Sequence, residues 1–413
     1  MPVKRLVQAR GATAREQGRA LGRAAADSIH TMYALKLEQY SEIAGAVDRW
    51  DEIVGAVQPL MERLMPHTYA ELLGQAEGAD ISPQALLRMS TEYELSMSSV
   101  GERAVADKCT GLVAHNIEGG VSVIGQNNDE NMALWMEGKL DYVADLRQPQ
   151  PGMTPGSPLD ALVYTHPGVP AYMGVNSVGV SVTWYYIDDG ERALSVDNMG
   201  LPTCAILREM LTFPSALDAV AWLHSIPRAV PNAYLVADPT RSFEVECGPI
   251  GWDAVAFPAC PDSHRDLARA GTSSSSGGPY GTHHANHYKI DSARIGRDTR
   301  AIGPTGTSPF RGHSMRASVD VAQRAALETG AAMGVSQAKA ALSTGGGVLG
   351  GVQGPNTLVS LVFEPTTRAM HARFHGDNAM AAEEGEGDEQ GWLEFRCEKQ
   401  TEPVAAVTLA AAL

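Results

Sequence analysis

The chain has 413 residues, 44% of them hydrophobic and 19% charged, with a formal net charge of −16; this is a globular make-up with room for one large domain or two ordinary ones. So negative a molecule repels phosphates, which argues against nucleic acid or an anionic membrane as partner. No apolar run reaches the roughly 18–20 residues that a membrane span needs.

The opening Met1-Pro2-Val3-Lys4-Arg5 carries two charges but no apolar segment follows it, so no secretory signal is read there. The five cysteines, Cys109, Cys204, Cys247, Cys260 and Cys397, are odd in number, widely spaced and without a CxxC. That pattern fits reduced thiols of a cytoplasmic protein better than a disulfide framework, and it lacks zinc-ribbon spacing.

In chain order, Ala12–Ile43 and Asp51–Ala76 are rich in Ala, Leu, Glu and Arg with apolar residues at helical spacing. Pro66 and the turn from Gly78 to Pro83 interrupt this helical half. Ser82 is placed to cap a helix that starts at Pro83 and runs through Leu86, Leu87 and Tyr93. At Cys109 the pattern changes to strands: Gly111–Ala114 and Val121–Gln126 around a turn at Asn116–Gly120. Further strands are expected at Leu140–Leu146, Ala161–Thr165, Ala171–Val175 and Val178–Tyr186, then a helix over Cys204–Leu223. Strands at Ala233–Ala237 and Ser242–Cys247 follow, and Thr357–Glu364 with Ala369–Phe374 reads as a final antiparallel pair. Thr272–Gly278 and the acidic Ala381–Gly391 read as surface loops. Short strands in hairpin order with a few long helices imply an antiparallel α+β architecture.

Cys109 is the most informative thiol, because it stands where the helical half hands over to the strands, followed by Thr110 and Gly111. The surrounding motifs share their order with one family. Asp107-Lys108-Cys109-Thr110 resembles a "D-G-C-T" processing site, and Gly125-Gln126-Asn127-Asn128-Asp129 resembles "G-Q-N-W-D". Pro231-Asn232-Ala233-Tyr234-Leu235-Val236-Ala237-Asp238 resembles "x-N-F-L-x-A-D". Thr282-His283-His284-Ala285-Asn286-His287-Tyr288 resembles "H-T-N-H-F", and Ser292 to Arg297 the "S-x-R-x-x-R" after it. Upstream, Gly11 to Gly22 resembles the family's opening, and His67 to Ala79 resembles its "AEGAG" helix ending. Together these resemble the acyl-CoA:6-aminopenicillanate acyltransferase-like family of the N-terminal-nucleophile hydrolases.

The resemblance implies a four-layer αββα sandwich with two stacked antiparallel sheets. It implies cleavage between Lys108 and Cys109, residues 1–108 staying bound as a small chain and 109–413 forming the catalytic large chain of a heterodimer. Cys109 is then nucleophile, Asp129 the carboxylate near it, Asn232 the oxyanion donor, and Arg294, with Arg297 as its neighbour, the charge-holding arginine. The chemistry is coherent: an α-amine with a reference pKa near ~7.7–8.0 can take the thiol proton, so one residue supplies nucleophile and base. The implied activity is hydrolysis of a small linear amide, or transfer of its acyl group to an amine, through a Cys109 thioester.

Two departures stand out. Lys108 replaces a glycine, restricting the backbone at the scissile bond, and Asn128 replaces a tryptophan, making the pocket wall more polar. Gln126, Asn127, Asn128, Trp184, Tyr185 and His287 are the candidate substrate contacts; the run Trp184-Tyr185-Tyr186 suits an apolar platform or an ordinary hydrophobic strand. His283, His284 and His287 lack the spacing of a metal site, and neither metal nor nucleotide cofactor is expected. Two rival readings are an uncleaved Cys–His peptidase using one of these histidines, and a non-catalytic binding protein on the same scaffold.

Overall fold

The computed structural model describes residues 6–98, 109–115, 120–129, 140–147, 159–187, 199–249, 251–257, 281–289, 308–329, 332–344, 352–353, 357–375 and 391–397. Lys108, Arg294, Arg297, Cys260, the Thr272–Gly278 loop and most of the Ala381–Gly391 loop lie outside them.

Among the described residues the strands form two sheets. The larger runs β1 (Leu6–Arg10), β4 (Tyr142–Arg147), β5 (Ala161–Thr165), β6 (Met173–Asn176), β7 (Ser181–Tyr186), β8 (Asn232–Ala237), β9 (Ser242–Cys247), β10 (Trp252–Phe257). The smaller runs β11 (Gly281–His284), β2 (Thr110–His115), β3 (Val121–Asp129), β12 (Thr357–Glu364), β13 (Ala369–Phe374), β14 (Leu393–Arg396). The sheets stack, with β3 against β7 and β8, β2 against β8, and β13 against β6.

Helices cover both outer faces. On the larger sheet lie α1 (Ala14–Ala24), α2 (Ala26–Ser41), α3 (Ala46–Leu64), α4 (Pro66–Ala79), α5 (Pro83–Ser90) and α6 (Glu92–Ser96) together with α7 (Thr203–Met210) and α8 (Ala216–Ser225). On the smaller lie α9 (Ser308–Thr329) and α10 (Val335–Leu342). The result is the expected α+β, four-layer αββα sandwich. Because the sheets are the inner layers, strands such as β2, β5, β7, β8 and β9 are buried along their whole length. The fully exposed strand positions lie on the edge strands β1, β10 and β14.

Three expectations need correction. The first part of the chain is not purely helical, since β1 pairs with β4, and that pairing is parallel in otherwise antiparallel sheets. Cys204–Leu223 is two helices, not one. Pro214 cannot continue the first, and Ser215 caps the second by accepting from the Asp218 amide at 3.1 Å. Strands β10, β11 and β14 were not foreseen. Ser82 caps α5 as expected, accepting from Ala85 N at 3.2 Å.

Helices α1 and α4 cross at their backbones. A Cβ on Gly18 would sit 1.9 Å from the Glu71 carbonyl oxygen, and one on Gly74 1.9 Å from that of Arg15. Gly22 and Gly78 repeat the pattern one turn on, at 2.1 Å from Gln75 O and Arg19 O. No side chain fits between the two helices, which explains the glycine spacing in both. Among the described residues no helix is long and apolar enough to cross a membrane.

Candidate active site

Cys109 immediately precedes β2 and is 2% exposed. The β2–β3 register places Thr110 opposite Asn127, so Cys109 comes opposite Asn128, and its Sγ lies 3.6 Å from Asn128 Oδ1. Gly111 follows because nothing larger fits: a Cβ there would lie 2.1 Å from the Tyr185 hydroxyl and 2.3 Å from the Gly125 carbonyl oxygen.

An arginine that sequence reasoning missed holds this turn. Arg311, on α9 and 3% exposed, donates from Nη1 to the Cys109 carbonyl and to Thr110 Oγ1, both at 2.6 Å. Its Nη2 donates to Asn286 Oδ1 at 2.8 Å, and Asn286 Nδ2 donates to the Tyr186 carbonyl of β7 at 2.9 Å. These bonds tie the turn at Cys109 to the larger sheet. Burial lowers the Arg311 pKa, while Asp129 and Cys109 act to raise it. Asp129 itself accepts from Thr357 Oγ1 at 2.6 Å. Arg311 thus sets a buried guanidinium against Cys109 from an element the motifs did not mark, while Arg294, the arginine the resemblance implies, lies outside the described residues.

Strand alternation sorts the remaining candidates by face. Asn127 points away from the sheet interface and donates to the carbonyls of Leu342 and Val352 at 2.9 and 3.0 Å. It anchors the α10 end and is spent as a substrate donor. Gln126 faces the other sheet, accepting from the Trp184 amide at 3.0 Å. That amide is open to it because β6 pairs with β7 only at Gly174–Val182 and Val175–Ser181.

Of the two readings left open for Trp184-Tyr185-Tyr186, the structure gives the buried strand, whose neighbours face opposite ways, so the three rings do not share one face. Trp184 and Tyr186 meet Tyr93 of α6 with ring centroids 5.0 and 5.7 Å apart. Tyr185 faces the smaller sheet, its ring 5.0 Å from His284 and its hydroxyl 3.1 Å from Thr183 Oγ1. Burial raises the Tyr185 pKa well above the ordinary phenol value.

The histidine motif divides as well. His284 Nε2 is 2.9 Å from Glu246 Oε1 and its Nδ1 meets the Ala285 carbonyl, so both ring nitrogens are engaged. Glu244, Glu246 and His284 are the one metal-like grouping among the described residues, yet its positive charge is supplied by Lys289. That ammonium lies 2.9 Å from Glu244 Oε1, and the Lys289 amide donates to Glu246 Oε1 at 2.6 Å. Burial opposes ionisation of Glu244, but Lys289 and His284 outweigh it and its pKa falls. Glu246, which showed no special claim in sequence, is a principal member of this cluster. His287 pairs through Nδ1 with Ser308 Oγ at 2.8 Å, and Ser308 also accepts from the Asn286 amide at 2.8 Å. Burial lowers the pKa of His287 to about 4 and of His283 to about 2, so both are neutral imidazoles at neutral pH.

Asn232 opens β8, paired with Tyr186 and thus at the same end of the sandwich as Cys109. Its Nδ2 donates to Thr203 Oγ1 at 3.0 Å, with a second contact of 3.5 Å to the Val230 carbonyl. Its Oδ1 is buried without a partner among the described residues.

No family model and no curated protein matches the chain. Solved structures do. An N-acylethanolamine-hydrolyzing acid amidase ortholog from Caenorhabditis elegans is similar over 70% of this chain and 99% of its own, with 16% identity and a TM-score of 0.42. Penicillin V acylase from Agrobacterium tumefaciens is similar over 64% and 83%, with 14% identity and a TM-score of 0.31. A mutant conjugated bile acid hydrolase from Clostridium perfringens is similar over 72% and 94%, with 11% identity and a TM-score of 0.38.

Proposed function

We propose that the chain is a self-processing amidohydrolase of the N-terminal-nucleophile type, akin to the acyl-CoA:6-aminopenicillanate acyltransferase-like enzymes, with Cys109 as nucleophile. The observation that carries this reading is the turn at Cys109. A thiol one residue ahead of an inner-layer strand has its own carbonyl and its neighbour's hydroxyl gripped by one buried guanidinium.

In processing, Cys109 Sγ attacks the Lys108 carbonyl. The new C–S bond replaces the C–N bond, and the nitrogen takes the thiol proton to become the Cys109 α-amine. Water then hydrolyses the thioester, leaving a Lys108 carboxylate and a free thiol. In turnover the α-amine accepts the thiol proton as Sγ attacks the substrate carbonyl, and it returns that proton to the departing amine. Asn232 is the donor to the tetrahedral oxygen, a role whose loss typically costs ~10²–10³ in rate. Water, or a second amine, releases the acyl group. The substrates are small N-acyl compounds, and offering acyl thioesters with and without added amines separates hydrolysis from transfer.

The test is the chain itself. Denaturing gels and intact mass spectrometry are expected to show two chains, the larger beginning at Cys109, and one unbroken chain for Cys109→Ala. An intact wild-type chain that turns over small amides would sink the α-amine mechanism and favour a Cys–His enzyme.

A further inference from the structure

Glu94 stands on α6, ahead of Cys109, in the run Glu92-Tyr93-Glu94-Leu95 that resembles the family's helix before the processing site. It is wholly buried, and its Oε1 accepts from both the amide and the hydroxyl of Thr203, at 2.9 and 3.0 Å. Thr203 is the first residue of α7, where helix amides lack an intrahelical acceptor and an anion is favoured.

The hydrogen-bond inventory now fixes an orientation. The Thr203 hydroxyl has one proton, which goes to Glu94, so toward Asn232 it presents only lone pairs. Asn232 must therefore turn its NH₂ side to Thr203, as the 3.0 Å Nδ2–Oγ1 bond shows. Its second amide hydrogen faces the Val230 carbonyl at 3.5 Å, with the Tyr234 hydroxyl also beside the amide. The other Glu94 oxygen and Asn232 Oδ1 are both buried without a partner among the described residues. Such atoms are costly in a purely structural network and are retained where a site needs them.

We infer that Glu94 and Thr203 are positioning residues, which lock the Asn232 amide in the orientation that offers N–H to the developing oxyanion. This rests on the oxyanion role proposed for Asn232. It makes the segment ahead of Cys109 a contributor to catalysis, since Glu94 would belong to the small chain after cleavage. Burial raises the Glu94 pKa to about 7, with the Thr203 bonds acting to lower it. An ionised carboxylate is the stronger acceptor for both.

The experiment follows acylation of the full-length protein by p-nitrophenyl acetate, read as the burst of p-nitrophenolate. Asn232→Ala is expected to slow limiting acylation by on the order of 10²-fold. Thr203→Val is expected to slow it about tenfold with the half-saturating ester concentration unchanged, the sign of an interaction made only in the transition state. Thr203→Ser, which keeps the hydroxyl, and Glu94→Gln, which keeps the acceptor oxygen, are expected to restore the rate lost in Thr203→Val and Glu94→Ala. Combined with Asn232→Ala, Thr203→Val is expected to add no further loss, because both act through one amide. If Thr203→Val melts early, Thr203→Ala serves the same cycle. Equal losses from the Thr203 change on both backgrounds, or none on either, would overturn the inference. An unchanged rate in Asn232→Ala would instead remove Asn232 from the site, and absence of any burst dependent on Cys109 would remove the nucleophile.

Discussion

At Cys109, the proposed nucleophile, Arg311 holds the turn directly. Its two terminal nitrogens reach three acceptors on β2 and on the segment after β11, and a lysine ammonium cannot span that fork although it keeps the charge. Arg311→Lys is therefore expected to slow acylation of Cys109 by on the order of 10²-fold through loss of orientation. A burst rate within threefold of wild type, about as small as such an effect can be resolved, would show that the charge alone suffices. Cys109, Asn128 and Asp129 were marked by motifs at the join of the two halves, and the structure brings Cys109 beside Asn128. Arg311 was not marked, because it lies 202 residues beyond Cys109 on a helix with no marking motif. Arg294, the arginine of the matching motif, lies outside the described residues. Trp184 and Tyr185 face opposite ways, which a run of aromatics does not show until its strand is identified.

At the scale of elements, the α1–α4 crossing makes a sharp prediction. In an isolated helix, replacing glycine by alanine gains roughly 0.5–1 kcal/mol. At Gly74 the added methyl would sit 1.9 Å from the Arg15 carbonyl oxygen, so the backbones must separate and surrounding contacts with them. Gly74→Ala is expected to destabilise the protein by about 1–3 kcal/mol, read as a lower urea midpoint at unchanged slope. A higher midpoint would mean that the helices part without cost. Elements with a strong local signal were readable: the strands around Cys109, β5, β7 to β9, β12 and β13, and the Ser82-Pro83 helix start. What escaped were short edge pieces whose strand character comes from a distant neighbour. β1 exists because β4 runs beside it, and β11 because β2 does. The break in Cys204–Leu223 was visible in Pro214, but the apolar periodicity on either side outweighed it.

For the molecule as a whole, the helices ahead of Cys109 are bound into the remainder at several buried points. Arg208 of α7 grips Glu71 of α4 with contacts of 2.6 and 3.0 Å, Glu209 accepts from Thr68 Oγ1 at 2.6 Å, and Glu94 holds Thr203. These buried contacts hold α4 and α6 against α7.

The place of β1 adds a consequence of another kind. It is the outermost strand of the larger sheet, and its own residues alternate exposed and buried, with Arg10 at one end. Beneath it β4 is buried almost throughout, as Tyr-Val-Ala-Asp-Leu. β1 thus acts as an edge guard, a short strand with a charge shielding an apolar one whose free N–H and C=O groups would template pairing with another chain. If residues 109–413 are made alone, that edge is bare, and the product is expected to aggregate, seen as rising light scatter. Supplying residues 1–108 from a second coding sequence is expected to keep it in solution, and a scatter-free lone fragment would show that β4 protects itself.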